Sequence, residues 1–197
     1  MNETRPNLVR LRDFVRRVTD LADDHGGNEA AMLDGVEGYL RQLIGHDDWL
    51  PAFCAEPHPE HYQQYLLHCD PQERFSVVSF VWGPDQATPV HDHTVWGLIG
   101  MLRGGEVEQR FRSVDGALEQ GETVALWPGD VGRVSPRIGD VHKVSNAHDD
   151  RVSVSIHVYG GNIGRIRRRV YSLEAATPQD FVSGYASSMI PNIWGGD

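Results

Sequence analysis

Residues Pro89-Val90-His91-Asp92-His93-Thr94-Val95-Trp96-Gly97 place two histidines at i and i+2, after a proline and ahead of a glycine. On a β-strand successive side chains point to opposite faces, so His91 and His93 share one face and Asp92 is turned away. Two imidazoles held this way reach one metal ion. His142 is the best third donor. In Pro136-Arg137-Ile138-Gly139-Asp140-Val141-His142-Lys143-Val144-Ser145-Asn146 it follows a glycine-punctuated turn and opens another β-like run. Three imidazoles from two strands fit one face of an octahedral ion and leave three positions open for chemistry. Neutral imidazole suits iron, zinc, copper and nickel, so ligand type alone leaves the metal open. His25, His46, His58, His61, His68 and His148 stand outside this pattern and are read as hydrogen-bonded surface or core residues.

A second constellation lies in Ser153-Val154-Ser155-Ile156-His157-Val158-Tyr159, where small or polar residues alternate with aliphatic ones. Ser155, His157 and Tyr159 therefore project to one side of a strand. A solvent-facing strand shows the same alternation. Serine, histidine and tyrosine in this order also relay a hydrogen bond, the histidine orienting the tyrosine hydroxyl toward a bound ligand. If that face carries His142, the trio backs the metal ligands. A basic run, Arg165, Arg167, Arg168 and Arg169, follows closely. Charge runs are usually solvated faces, but the position of this one, directly after the strand that carries the trio, weakens that reading.

The elements that must position these groups are short strands preceded by helices. From Asn7 to Leu21, apolar residues at Leu8, Leu11, Val15, Val18 and Leu21 form one helical stripe, with Pro6 suited to its first turn. Past Asp23-Asp24-His25-Gly26-Gly27, a second stripe runs through Met32, Leu33, Val36, Leu40, Leu43 and Ile44 and ends near Gly45. Strand-like runs follow at Gln63 to Leu67, Phe75 to Trp82, Val95 to Leu102, Glu106 to Arg112, Thr123 to Leu126 and Arg151 to Tyr159. Gly104-Gly105, Asp115-Gly116 and Pro128-Gly129-Asp130 supply turns between them. This is a mainly β reading, a barrel or sandwich with N-terminal α-helices packed on it, and a weakly patterned tail after Gly160.

At 197 residues the chain fits one domain. Its formal net charge of -10 gives no overall field for nucleic acid or anionic lipid, so an anionic ligand must be drawn in locally. No run approaches the roughly 20 apolar residues of a membrane helix, and a soluble, cytoplasmic protein is expected. Cys54 and Cys69, the two cysteines, form no disulfide framework and no paired zinc motif and are read as free thiols.

Together these motifs resemble the cupin superfamily. His91-x-His93 matches its first motif, and Pro136, Gly139, His142 and Asn146 match its second. The glutamate ligand of the commonest first motif falls at Gly97 or Leu98, neither of which binds metal. That loss, with Ser155-x-His157-x-Tyr159, is similar to the thiol dioxygenases of the cysteine dioxygenase family, over roughly Tyr62 to Tyr171. The resemblance implies a cupin-type β-barrel (jelly roll) core at 62–171 with a helical part at 1–48. It also implies Fe(II) held by His91, His93 and His142, with a small thiol carboxylate and O2 as partners. Cysteine-specific members carry an arginine in a Tyr-x-Arg segment; here Tyr62-Gln63-Gln64 puts Gln64 in its place. Mammalian-type members crosslink a cysteine near the Gly97-Leu98 position to the tyrosine matching Tyr159, which should be unmodified here. Both departures resemble the bacterial branch that oxidises 3-mercaptopropionate. In that branch an arginine after the Tyr-Gly-Gly segment holds the substrate carboxylate; Arg168 is the positional match and Arg167 the fallback.

On this reading Tyr159, oriented by His157 and Ser155, is the catalytic side chain, and Arg168 and Gln64 bind substrate. Competing readings are a cysteine or mercaptosuccinate dioxygenase, a non-catalytic metal-binding cupin, and a zinc or nickel cupin. The last class more often includes a carboxylate ligand. Oligomeric state is left open.

Overall fold

The computed structural model describes residues 6–114, 117–172 and 178–195; the turn expected at Asp115-Gly116 lies outside them. Two helices open the chain, α1 (Leu8–His25) and α2 (Glu29–Ile44). The buried stripe of α1 is Leu11, Phe14, Val15, Val18 and Ala22; that of α2 is Met32, Leu33, Val36, Leu40, Leu43 and Ile44. Helix α1 runs a turn beyond the expected Leu21 because Ala22 continues its stripe. At the start of α2 the Asn28 side chain accepts the Ala31 N–H, satisfying one of the helix's orphan donors.

The strands are β1 (Gln63–Cys69), β2 (Ser76–Trp82), β3 (Val90–His91), β4 (Gly97–Arg103), β5 (Glu106–Val114), β6 (Ala117–Leu126), β7 (Val131–Val134), β8 (His142–Asn146), β9 (Ser153–Tyr159), β10 (Arg168–Tyr171) and β11 (Gln179–Phe181). They pair into a five-stranded sheet, β1-β2-β9-β4-β7, and a six-stranded sheet, β11-β10-β3-β8-β5-β6. Among the described residues the ladders define these two sheets, and a closed barrel ladder of the kind expected from sequence is not among them. The result is a mainly β, cupin-like core with the helices packed on it.

Both helices cover one face of the five-stranded sheet. Val77 and Val81 of β2, Leu98 and Leu102 of β4, and Val154, Ile156 and Val158 of β9 join the helical stripes in one buried cluster. Each aliphatic side chain so buried contributes about 1.5–3 kcal/mol. The pleat sends the intervening residues of β9 to the other face, where Tyr159 packs with Val78, Phe80, Trp82 and Val144. All seven residues of β9 are buried, so its polar–apolar alternation separates two interior environments and no face of it is solvated.

The tail is more ordered than its sequence suggests. Arg168–Tyr171 pairs with β3, Val170 opposite His91, and β11 pairs with β10 in turn. This pairing carries the basic run into the sheet that bears the histidines. None of the described helices is long and apolar enough to cross a membrane.

Candidate metal centre

His91 and His142 are direct cross-strand partners on β3 and β8. Strand β3 ends at His91, so His93 reaches the site from a loop and not, as its spacing suggests, from the same strand. The loop turns at Thr94, a β-branched residue held at φ 62, and the Asp140 carboxylate fixes that turn. It accepts the backbone N–H of His93 at 3.0 Å and of Thr94 at 2.9 Å, and the ring Nδ1–H of His93 at 3.0 Å. Gly139, at φ 123, closes the tight Ser135–Gly139 turn that delivers Asp140 to this position.

The three rings converge. Their candidate ligand nitrogens lie within 4.8 Å of one another, and ring centroids are 4.8–4.9 Å apart. Each Nδ1 is already committed: His91 donates to the Pro89 carbonyl at 3.0 Å, His93 to Asp140, and His142 to Glu108 at 2.9 Å. Nε2 of each ring is left for the centre. Metal-binding imidazoles are oriented in this way by acceptors on their second nitrogen. Burial, reinforced by neighbouring imidazoles, holds His91 and His93 well below the usual histidine range and keeps them neutral. Burial works to raise Glu108, but the His142 hydrogen bond and the Arg110 charge outweigh it and hold the carboxyl down as an acceptor. Three tautomer-fixed nitrogens match the donor set a divalent transition metal requires.

Beside the triad the β9 trio forms the relay expected of it. Tyr159 Oη lies 2.8 Å from His157 Nδ1, and His157 Nε2 lies 2.8 Å from Ser155 Oγ. The Tyr159 ring stacks on His93 at 5.2 Å and the His157 ring on Phe80 at 4.1 Å. Burial pushes the Tyr159 phenol far up, with the Arg168 charge opposing, so the hydroxyl keeps its proton. The ring rests on Gly97, where a Cβ would come 2.8 Å from Tyr159 Cδ1. A glutamate or cysteine at that position would collide with the tyrosine. Gly97→Ala is therefore expected to leave metal content unchanged and to lower turnover about 10- to 100-fold by displacing Tyr159. Metal analysis with steady-state kinetics checks this, and an unaltered kcat would contradict it.

Arg168 is 3% exposed, while Arg167 is exposed and lies 3.4 Å from Asp180. The Arg168 guanidinium sits over Phe181 at 4.6 Å and donates to Ser183 Oγ at 2.6 Å, and its Nε has no partner among the described residues. Gln64, also buried, donates to the same Ser183 oxygen at 3.1 Å and to the Gly184 carbonyl at 2.8 Å. The Phe181 ring under Arg168 lies 6.5 Å from the His91 ring, and β10 pairs with β3 at His91, which places the guanidinium beside the triad.

Several residues escape the sequence reading. Asp140 and Glu108 orient ligands, Glu106 contacts Ser155, and Asp92 accepts Arg169 N–H and Tyr171 O–H at 2.8 Å each. Asn146, matched to the second motif, has a structural role: its amide donates to the carbonyls of Trp82, Gly83 and Arg151. Cys54 lies in the helix-side core, where burial pushes its thiol up to about 12, an inert group. A second cluster, His58, Glu60 and His61, lies apart from the triad, with His58 Nδ1 taken by the Glu60 N–H.

A cupin-like core that gathers three buried imidazoles in this way defines a metal-binding protein of the three-histidine type. A family model described as Cysteine dioxygenase type I matches residues 49–171, and the chain belongs to that family. Family and triad together support iron-dependent thiol dioxygenase chemistry. Among solved structures, a Klebsiella pneumoniae protein with a double-stranded β-helix domain is 18% identical, over 56% of this chain and 81% of its own, with a TM-score of 0.46. A cupin superfamily protein from Desulfitobacterium hafniense is 14% identical, over 59% of this chain and 94% of its own, with a TM-score of 0.44. A Thermus thermophilus protein is 22% identical, over 55% and 91%, with a TM-score of 0.41.

Proposed function

We propose that the chain is a non-haem Fe(II) thiol dioxygenase that converts 3-mercaptopropionate to its sulfinate. The overall change, RSH + O2 → RSO2H, is balanced: sulfur loses four electrons and both oxygen atoms gain them. Ferrous iron on His91, His93 and His142 supplies a Lewis acid that favours the substrate thiolate and a redox centre for O2.

The chain's own residues bind and orient. Arg168 presents a buried, planar pair of donors to a carboxylate, the local attraction that an acidic protein needs for an anionic substrate. Burial removes competing water from that contact. Gln64 adds a neutral polar wall, and its amide is already satisfied by Ser183 and Gly184. Tyr159 holds a protonated hydroxyl beside His93, aligned through His157 and Ser155.

One observation carries the choice of substrate. Beside the triad there is one buried cation, and the carboxylates that touch the ligands or their loop are engaged; Glu106, with an unpartnered oxygen, lies behind Ser155. Asp140 is used by His93 and Thr94, Glu108 by His142, and Asp92 by Arg169 and Tyr171. A substrate with one carboxylate and no ammonium suits this set, whereas cysteine brings an ammonium with no anionic partner. Mercaptosuccinate brings a second carboxylate, and Arg167, the adjacent cation, is exposed and turned to Asp180.

The test is O2 uptake by protein loaded anaerobically with Fe(II), with the sulfinate identified by mass. The kcat/KM for 3-mercaptopropionate is expected to exceed those for L-cysteine and mercaptosuccinate at least about tenfold, the equivalent of about 1.4 kcal/mol. A preference for cysteine would overturn the reading of Gln64. Iron retained with no thiol-driven uptake would favour a binding protein.

A further inference from the structure

Glu106 is buried between the sheets and plays no part in the mechanism so far. One carboxylate oxygen, Oε2, has no hydrogen-bond partner among the described residues; the other meets Ser155 Oγ in a very short contact. A continuous chain thus runs from Glu106 through Ser155 Oγ, His157 Nε2 and His157 Nδ1 to Tyr159 Oη.

Proton counting along this chain has two solutions. Ser155 has one proton to give, and the third group at its oxygen, the Trp82 indole N–H at 3.2 Å, only donates. Glu106 and His157 therefore cannot both accept from Ser155. With Glu106 protonated, it donates to Ser155, Ser155 donates to His157 Nε2, and His157 Nδ1–H donates to Tyr159 Oη. The phenolic O–H is then free for whatever binds beside His93. With Glu106 ionised, every bond reverses: Ser155 donates to the carboxylate, His157 Nε2–H donates to Ser155, and Nδ1 accepts the Tyr159 O–H. Burial, reinforced by the neighbouring imidazoles, holds His157 far below the usual histidine range, so it passes between neutral tautomers.

We propose that Glu106 is a positioning residue that sets the direction of this chain: protonated, it turns the Tyr159 hydroxyl out toward substrate, and ionised, it turns the hydroxyl back onto His157. The groups facing it are Ser155, His157 and Tyr159 on β9, Trp82 on β2, its cross-strand neighbour Asn146 on β8, and Glu108 on its own strand. Burial, opposed by the Ser155 hydrogen bond and the nearby Trp82 indole and joined by the like charge of Glu108, pushes Glu106 up to about 7. Both forms are therefore populated near neutral pH. Because the protonated form frees the hydroxyl, turnover falls as pH rises through this value.

The kinetic half of the inference rests on the thiol dioxygenase reading; the tautomer half does not. Histidine 15N NMR of the metal-free protein reads the His157 tautomer, the signal being assigned by its loss in His157→Gln. Wild type is expected to pass from Nδ1–H to Nε2–H as pH rises through about 7. Glu106→Met removes both donor and acceptor and leaves His157 as the one acceptor for Ser155, so it should remain Nδ1–H throughout. Glu106→Gln, its amide N–H turned to Ser155, should do the same. In the iron-loaded enzyme the ratio of kcat at pH 6.5 to that at pH 8.5 is expected to drop from about 25 in wild type to about one in either variant. A wild-type tautomer that does not change with pH, or variants that keep the wild-type slope, would overturn the proposal. A tautomer switch in a protein that oxidises no thiol would uphold the chain and overturn the function assigned above.

Discussion

His142→Ala is expected to lose iron and thiol oxidation together. The imidazole is buried, opposite His91 in the sheet, with Nδ1–H committed to Glu108 at 2.9 Å. Its removal deletes one of three donors and also leaves Glu108 Oε1 without its partner, Arg110 holding only the other oxygen at 3.3 Å. Removing an orienting partner alone typically costs about 10–100-fold in metal affinity. Glu108→Gln, which keeps the shape but weakens the acceptor, is expected to fall in that range, and loss of the ligand itself should exceed it. Metal analysis after desalting, paired with O2 uptake, separates the two. In Glu108→Gln, turnover should return when iron is raised to saturate the site. In His142→Ala it should not. An alanine variant that kept iron and full turnover would remove His142 from the ligand set.

His91 and His142 are legible in sequence because each sits in a local pattern that survives folding. His142 opens β8 as its turn-then-strand context implies. Ser155, His157 and Tyr159 are legible for a related reason. A strand covered by helices on one face and by a second sheet on the other still alternates, and its polar members must then find partners inside. His93 is legible through a pattern that is only half true. Strand periodicity ends at His91, and it is the Thr94 turn, held by Asp140 from a distant loop, that brings the second ring round.

The acidic residues of the site were not legible, and the reason is physical. Glu106-Val107-Glu108 alternates as though the glutamates faced water, yet both are buried and Val107 is the partly exposed residue. The inversion is stable because each carboxyl meets a group that exists only after folding, His142 for Glu108 and Ser155 for Glu106. A charged residue flanking a hydrophobic position cannot reveal a partner on a non-adjacent segment. The tail escaped for a similar reason. Strands of four and three residues carry too little periodicity to be read, and Arg168 is drawn inside by pairing with β3 and by stacking on Phe181.

Arg168→Ala should have the largest effect of any substitution outside the metal ligands. Truncating one member of a buried, hydrogen-bonded charge pair costs about 2–4 kcal/mol, so kcat/KM for 3-mercaptopropionate should fall about 30- to 1,000-fold, chiefly through KM. Iron binding should persist. The guanidinium is a positive charge beside the triad, and its field opposes a cation there, so removing it cannot weaken metal binding electrostatically. Loss of substrate affinity with iron retained therefore separates an anchor from a ligand or a purely structural residue. Arg168→Lys should recover little, because an ammonium lacks the planar two-point fork. Arg167→Ala should stay within about twofold of wild type, its side chain being exposed at 77% and lying 3.4 Å from Asp180. An unchanged KM in Arg168→Ala, with a raised KM in Arg167→Ala, would transfer the anchor to the neighbouring arginine. That outcome would also require the segment ahead of β10 to swing Arg167, now exposed and turned to Asp180, inward to the substrate.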